Sequence, residues 1–183
     1  MADQLIRATA ADGGIRCVGV ITTRLTQEAR VKHQLSYVAT AALGRTMAAS
    51  LLLASSMKRP ESRVNIRING NGPLGTVLVD GGLDGTVRGY VSNPSVELPP
   101  KPNGKLDVSG AVGSEGFLYV IRDSGYDYPY SSTVELVSGE IGDDVTHYFR
   151  TNAFGVAARC FCERSRCYSS RRHFIASAAE GRP

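Results

Sequence analysis

An α+β fold built on antiparallel sheets is the class this sequence predicts, and three observations carry it. Strand-like runs come first, helical periodicity follows, and a second series of strand-like runs comes after the helices. Only short turns separate most of the strand-like runs, whereas parallel neighbours need long crossovers. The chain of 183 residues is long enough for one domain of ordinary size with a real core. Apolar residues at 42% and charged residues at 21% exclude disordered, collagen-like and membrane-embedded classes.

Leu5 to Thr9 and Ile15 to Thr22 read as two strands joined by Asp12-Gly13-Gly14, where glycine supplies the positive φ a hairpin turn needs. The pattern becomes helical from Thr26 to His33. Ser36 then offers an N-cap hydroxyl to a long Ala/Leu-rich helix from Tyr37 to Met57, with Pro60 closing it. That segment is long enough to cross a bilayer, which takes about 20 apolar residues. Arg45 in its middle, with Thr40, Ser50, Ser55 and Ser56 around it, predicts a buried or half-buried helix of a globular domain instead.

From Val64 the period is two, with Val64, Ile66 and Ile68 on one face and Asn65, Arg67 and Asn69 on the other. Thr76 to Asp80 and Thr86 to Val91 continue the strands, punctuated by glycine-rich turns. Residues 94–104 hold four prolines and predict a fixed, extended connection over the surface. Strand character returns at Phe117 to Arg122, Thr133 to Val137 and Thr146 to Arg150.

The net charge of +4 is confined to one end. Residues 1–158 carry fifteen Lys and Arg against fifteen Asp and Glu, whereas residues 159–183 carry six arginines against Glu163 and Glu180. Cysteine is similarly uneven: Cys17 stands alone in the body, while Cys160, Cys162 and Cys167 crowd the tail. The N-terminus lacks the basic start, apolar run and small-residue cleavage site of a secretory signal. A reducing cytoplasm is the compartment expected.

Several constellations invite a chemical reading. Gly70-Asn-Gly-Pro-Leu-Gly75 spells G-x-G-x-x-G after a strand, but strand-like residues follow where a dinucleotide loop needs a helix, so a structural turn is the reading. Tyr126-Asp-Tyr-Pro-Tyr130 is either an adhesive or stacking platform, or a loop whose rings cover the sheet. His33 and His147 have no hydrolase, zinc-protease or phosphate-loop motif beside them. Asp143-Asp144 reads as a solvated turn before Thr146. Cys160, Cys162, Cys167 and His173 are zinc-type ligands without the knuckle glycine and spacing a metal site needs, and no metal role is assigned to them. Cys17 reads as a core residue of its strand. No catalytic, cofactor-binding or metal residue is assigned, and the sequence leaves any substrate-binding residues unidentified.

An ordered set of strings goes further: Ala41-Ala-Leu-Gly-Arg-Thr46, Ile68-Asn-Gly-Asn-Gly-Pro-Leu-Gly75, Arg88-Gly-Tyr-Val-Ser-Asn-Pro94, Asn103-Gly-Lys-Leu-Asp-Val108, Ala111-Val-Gly113 and Tyr119-Val-Ile-Arg-Asp123. Over residues 1 to about 151 the chain resembles the redox-regulated holdase chaperonins, the thirty-three-kilodalton heat-shock proteins. The resemblance implies an N-terminal domain that holds unfolding client proteins without ATP. It implies no enzyme activity, no specific nucleic-acid or membrane partner, and a homodimer on activation. Family members continue into a linker and a zinc domain with Cys-x-Cys and Cys-x-x-Cys. Oxidants convert those thiolates to disulfides and release the metal, so the small domain loses its folding energy.

Residues 152–183 depart from that pattern: they contain Cys160-Phe-Cys162, too early for the family, and no Cys-x-x-Cys. The expected domains are therefore 1–151, family-like, and 152–183, an atypical basic Cys/Arg-rich tail without the zinc switch. Codons compatible with Asn152 to Arg182, read one nucleotide later, can spell Thr-Pro-Ser-Ala, two residues, then Leu-Gly-Val-Phe-Val-Ser-Asp-Arg-Ala-Val-Ile-Ala-Ala-Gly-Gly-Ile-Leu-Ser-Gln-Val-Leu-Pro-Lys-Ala-Asp. That hidden string carries the Ala-Gly-Gly turn and apolar segments the resemblance implies here. A shifted frame explains the arginine excess, the cysteine cluster and the lost periodicity together, and predicts poor packing of the tail; a naturally divergent basic tail is the other explanation. Two alternative functions remain open on the residues: a small-molecule or nucleotide-binding enzyme using Gly70 to Gly75, and an RNA-binding protein using the basic tail.

Overall fold

Alternation along a strand puts every second side chain on one face, and the strand from Arg63 to Asn69 shows it fully: Val64, Ile66 and Ile68 are wholly buried and the residues between them reach the surface. Each such buried aliphatic side chain contributes about 1.5–3 kcal/mol relative to an exposed one. The computed structural model describes residues 2–10, 12, 15–125, 128–152, 156–164 and 171–179, with backbone alone at residues 15–16, 156–164 and 171–179. The order is β1 (Gln4–Ala10), β2 (Ile15–Ile21), α1 (Thr23–His33), α2 (Tyr37–Ala54), β3 (Arg63–Asn69), β4 (Val77–Gly82), β5 (Val87–Val91), α3 (Val108–Val112), β6 (Phe117–Asp123), β7 (Tyr130–Glu135), α4 (Gly142–Thr151), β8 (Val156–Arg164) and β9 (Arg171–Ala179).

Two antiparallel sheets form, one in the order β5-β4-β3-β6-β7 and one in the order β1-β2-β9-β8. The α+β class holds. Helix α2 lies between the sheets. Its Leu43, Met47 and Leu53 join the inward residues of β3, β4 and β6, while Ala48, Leu51 and Leu52 pack with Val20 of β2. A helix apolar on every side is one that is buried on every side. Ser36 caps it as expected, its Oγ accepting from the Ala39 amide at 3.2 Å. The helix stops at Ala54, well before Pro60, with Ser55 as C-cap.

Arg45 is reconciled with this burial by a partner. Its Nη1 donates to Oε2 of Glu140 at 2.7 Å and to the Glu140 carbonyl at 2.9 Å. The proline-rich strap runs over the start of α2 without regular structure, held by Ser36: its amide donates to the Pro94 carbonyl at 2.8 Å and its hydroxyl to the Val96 carbonyl at 2.5 Å.

Four expectations need correction. Thr146 to Arg150 is helical, inside α4, because Ile141, Val145 and Tyr148 bury one helical stripe and Asp143 and Asp144 sit in the first turn, where carboxylates favour a helix N-terminus. Asp144 is accordingly no solvated turn residue. It is buried, and its two oxygens accept the amides of Val137, Ser138, Gly139 and Ile141 at 2.8–3.3 Å. The helix count also rises from two to four among the described residues, with α3 as the other unforeseen helix. In the tail, β8 and β9 lie where no strand was expected, and β9 pairs with the edge of β2 that β1 leaves open. The side-chain packing of those two strands lies outside the described residues.

Candidate functional site

The G-x-G-x-x-G turn is closed to a phosphate by its own hydrogen bonding. The amides of Gly72 and Leu74 donate to the carbonyls of Val112 and Ala111 at 2.9 Å each, Asn71 donates to its neighbour Asn69, and Gly75 donates to Gly72. Pro73 has no amide to offer. The glycines are there because two backbones touch: a Cβ at Gly70 or at Gly113 would collide with the other residue's carbonyl oxygen. The turn is the dock for α3, and the nucleotide reading of Gly70 to Gly75 has no support.

The remaining candidates do not assemble either. His33 ends α1 at the surface, and His147 lies on α4 beside Thr151. Cys17 is a free thiol, half-buried and outside the core clusters. Among the described residues no three His, Cys, Asp or Glu side chains come together as a metal site would require. These residues do not fit a zinc ion, and the side chains of Cys160, Cys162, Cys167 and His173 lie outside the described residues. Of the tyrosine loop, Tyr126 is likewise outside; Tyr128 is 90% exposed and covers nothing, and Tyr130 is half exposed.

What the fold does present is the outward face of the five-stranded sheet. On β6 the outward residues are Phe117, Tyr119 and Ile121, exposed by 42%, 37% and 42%, while Leu118 and Val120 between them fill the core. Register extends this stripe across the sheet: Tyr119 stands opposite Arg67 on β3 and Thr133 on β7, Arg67 opposite Leu78 on β4, and Leu78 opposite Tyr90 on β5. Tyr90 is 48% exposed. Phe117 and Tyr119 lie with ring centroids 6.0 Å apart in a tilted pair. Exposed apolar side chains gathered in one patch mark a surface that binds other chains or ligands.

The face is also charged in an ordered way. Asp80 on β4 accepts from Arg63 at 2.8 Å and from Arg88 at 3.2 Å with the same oxygen, so one carboxylate serves two guanidinium groups. Sequence reasoning missed this face, although five consecutive apolar residues, Phe117-Leu-Tyr-Val-Ile121, signalled a strand with no polar side.

On the core side, Glu140 joins α2 to the strap. Burial pushes its carboxyl up, but hydrogen bonds from Lys101 and Arg45, together with their charges, outweigh that and hold it at about 2. The Lys101 ammonium is raised by its hydrogen bond to Glu140, burial opposing and Asp107 assisting. Asp107 is lowered first by the Gly110 amide, which it caps, with burial opposing and Ser109 and Lys101 assisting. This cluster is structural: every member is a tie between the strap, α3 and the turn before α4.

The comparisons agree on one family. Residues 3–153 match the family described as Hsp33 protein. The 33 kDa chaperonin of Synechocystis is 80% identical over 152 residues, covering 83% of this chain and 50% of that one. That of Nostoc punctiforme is 80% identical over 148 residues, covering 81% and 49%. The chain thus spans about half the length of the curated relatives it matches. Among solved structures, the crystal structure of the 33 kDa chaperonin, a heat shock protein 33 homolog, from Thermotoga maritima aligns with a TM-score of 0.84 at 35% identity, covering 94% of this chain and 60% of that one. With residues 3–153 matched to the family and the fold of a solved member matched over 94% of the chain, this chain belongs to the Hsp33 protein family.

Proposed function

We propose that residues 1–151 form the holding domain of an ATP-independent holdase, a binding protein without turnover that takes up unfolding polypeptides. The observation that carries the reading is the exposed stripe of Phe117, Tyr119 and Ile121 on the five-stranded sheet, at a surface where an extended client chain can lay down apolar side chains. Family membership supports a chaperone role, a cytoplasmic setting and dimerisation on activation; the partners are unfolded client proteins, with no specific nucleic acid and no membrane. Zinc belongs to the C-terminal part of full-length members, and no step of holding by this domain passes through it.

Light scattering from a heat-unfolded client enzyme tests the reading. Stoichiometric chain delays aggregation without ATP, and the Phe117→Ser, Ile121→Ser double variant, folded by circular dichroism, delays it far less. Equal protection by the variant would move the client surface elsewhere.

The reading extends to residues 152–183 as a tail translated in a shifted frame, supported by its basic, cysteine-rich composition and by the family match at residues 3–153. Holding by the chain is then the same with and without peroxide, and a large peroxide response would sink that part. Resequencing the gene from codon 148 onward decides the frame directly: a shifted reading that continues into Cys-x-Cys and Cys-x-x-Cys supports it, and a confirmed stop without one does not.

A further inference from the structure

The outward face holds three arginines, and they are not equivalent. Arg63 and Arg88 are both ion-paired with Asp80. Arg67, four residues along β3 from Arg63 and directly opposite Tyr119, makes no ion pair among the described residues; its guanidinium lies 5.7 Å from the Tyr119 ring centroid. Its neighbours on β6 are the three exposed apolar side chains, Tyr119 straight across and Phe117 and Ile121 on the diagonals. At that distance the guanidinium is within cation–π range of the ring, an interaction that leaves its N–H donors available.

From this arrangement we infer that Arg67 gives the face a charge preference: it takes extended segments in which apolar side chains flank a carboxylate, and turns away matched segments with a basic residue at that place. The inference rests on the holding role proposed above and names the client chemistry. A client aspartate or glutamate landing among Phe117, Tyr119 and Ile121 meets a cation able to give it two parallel hydrogen bonds while the apolar contacts exclude water. A client lysine at the same place meets a like charge and loses its own hydration without a partner. Apolar contact supplies attraction to any unfolded chain, and the unpaired arginine sorts among them.

Fluorescence anisotropy on the full chain tests this with two labelled peptides of identical apolar sequence carrying Glu or Lys at the centre. The Glu peptide binds about tenfold tighter at low salt, the gap narrows with added salt, Arg67→Lys retains most of it, and Arg67→Glu reverses it. Arg67 is exposed, and matching thermal melts certify that the variants fold. Equal affinity for the two peptides, or an unchanged gap in Arg67→Gln, overturns the preference while leaving the holding role standing. Failure of both peptides to bind at any concentration overturns the holding role itself. A single-stranded oligouridylate bound more tightly than the Glu peptide would reassign the aromatic and arginine face to nucleic acid.

Discussion

Lys101 donates to Oε1 of Glu140 at 2.7 Å while Arg45 donates to Oε2 of the same carboxylate at 2.7 Å, so one acid clasps the proline-rich strap to the middle of α2. The carboxyl is held at about 2 against an ordinary value of 4.5. A depressed acid contributes stability that is whole above the unfolded value and is lost as pH falls through the folded one, because the unfolded chain takes up the proton first. Denaturant midpoints measured between pH 7 and pH 2 therefore decline across the window from 4.5 to about 2. Glu140→Gln costs about 1–2 kcal/mol at pH 7, once screening of a part-exposed group is allowed for, and its difference from the parent shrinks across the same window.

Gly113 and Gly85 separate two uses of glycine. Both have positive φ, +81° and +84°, but a Cβ at Gly113 meets the Gly70 backbone whereas one at Gly85 meets open space. Gly85→Ala costs about 1–2 kcal/mol for its backbone alone. Gly113→Ala pays that and must also push α3 off the turn, which makes it the more damaging change by about 2 kcal/mol or more in thermal melts.

Removing the Asp144 carboxylate orphans four backbone amides at once. Asp144→Ala destabilises the fold by at least about 3 kcal/mol by chemical denaturation, and Asp144→Asn, which keeps one acceptor, falls between it and the parent.

If residues 152–183 are a shifted-frame tail, native-state hydrogen exchange separates the sheets. Amides of β9 exchange about a hundredfold or more faster than those of β4 at the centre of the fold. Equal protection of the two strands would make the tail a genuine part of the domain.

How much of this was legible in the sequence follows from physical length scales. Val64, Ile66 and Ile68 announced their strand because one face is buried and the other is not, and Ser36 announced its helix because few residues serve as N-caps. Helix α4 was hidden because Thr146-His-Tyr-Phe149 is rich in β-branched and aromatic residues; the stripe of Ile141, Val145 and Tyr148 overrode that propensity. Helix α3 is too short for a periodic signal. The apolar run of β6 was visible, but sequence cannot tell a covered outer face from a bare one. Arg67 stood in plain alternation as a polar strand residue; only register puts it opposite Tyr119.

The central strand β3 has two neighbours of very different origin. It meets β4 across a short turn, but meets β6 only after the chain has passed β5, the strap and α3. The entropy of closing the longer loop sets the order, so the β3–β4–β5 meander assembles early and β6 docks late. Conservative substitutions in β4 accordingly give higher φ-values than those in β6. The stripe of Phe117, Tyr119 and Ile121 resides on that late strand, so under the holding role proposed above a half-made molecule has no finished gripping surface with which to seize its own unfinished segments. On that proposal, maturation and competence to capture arrive in a single step.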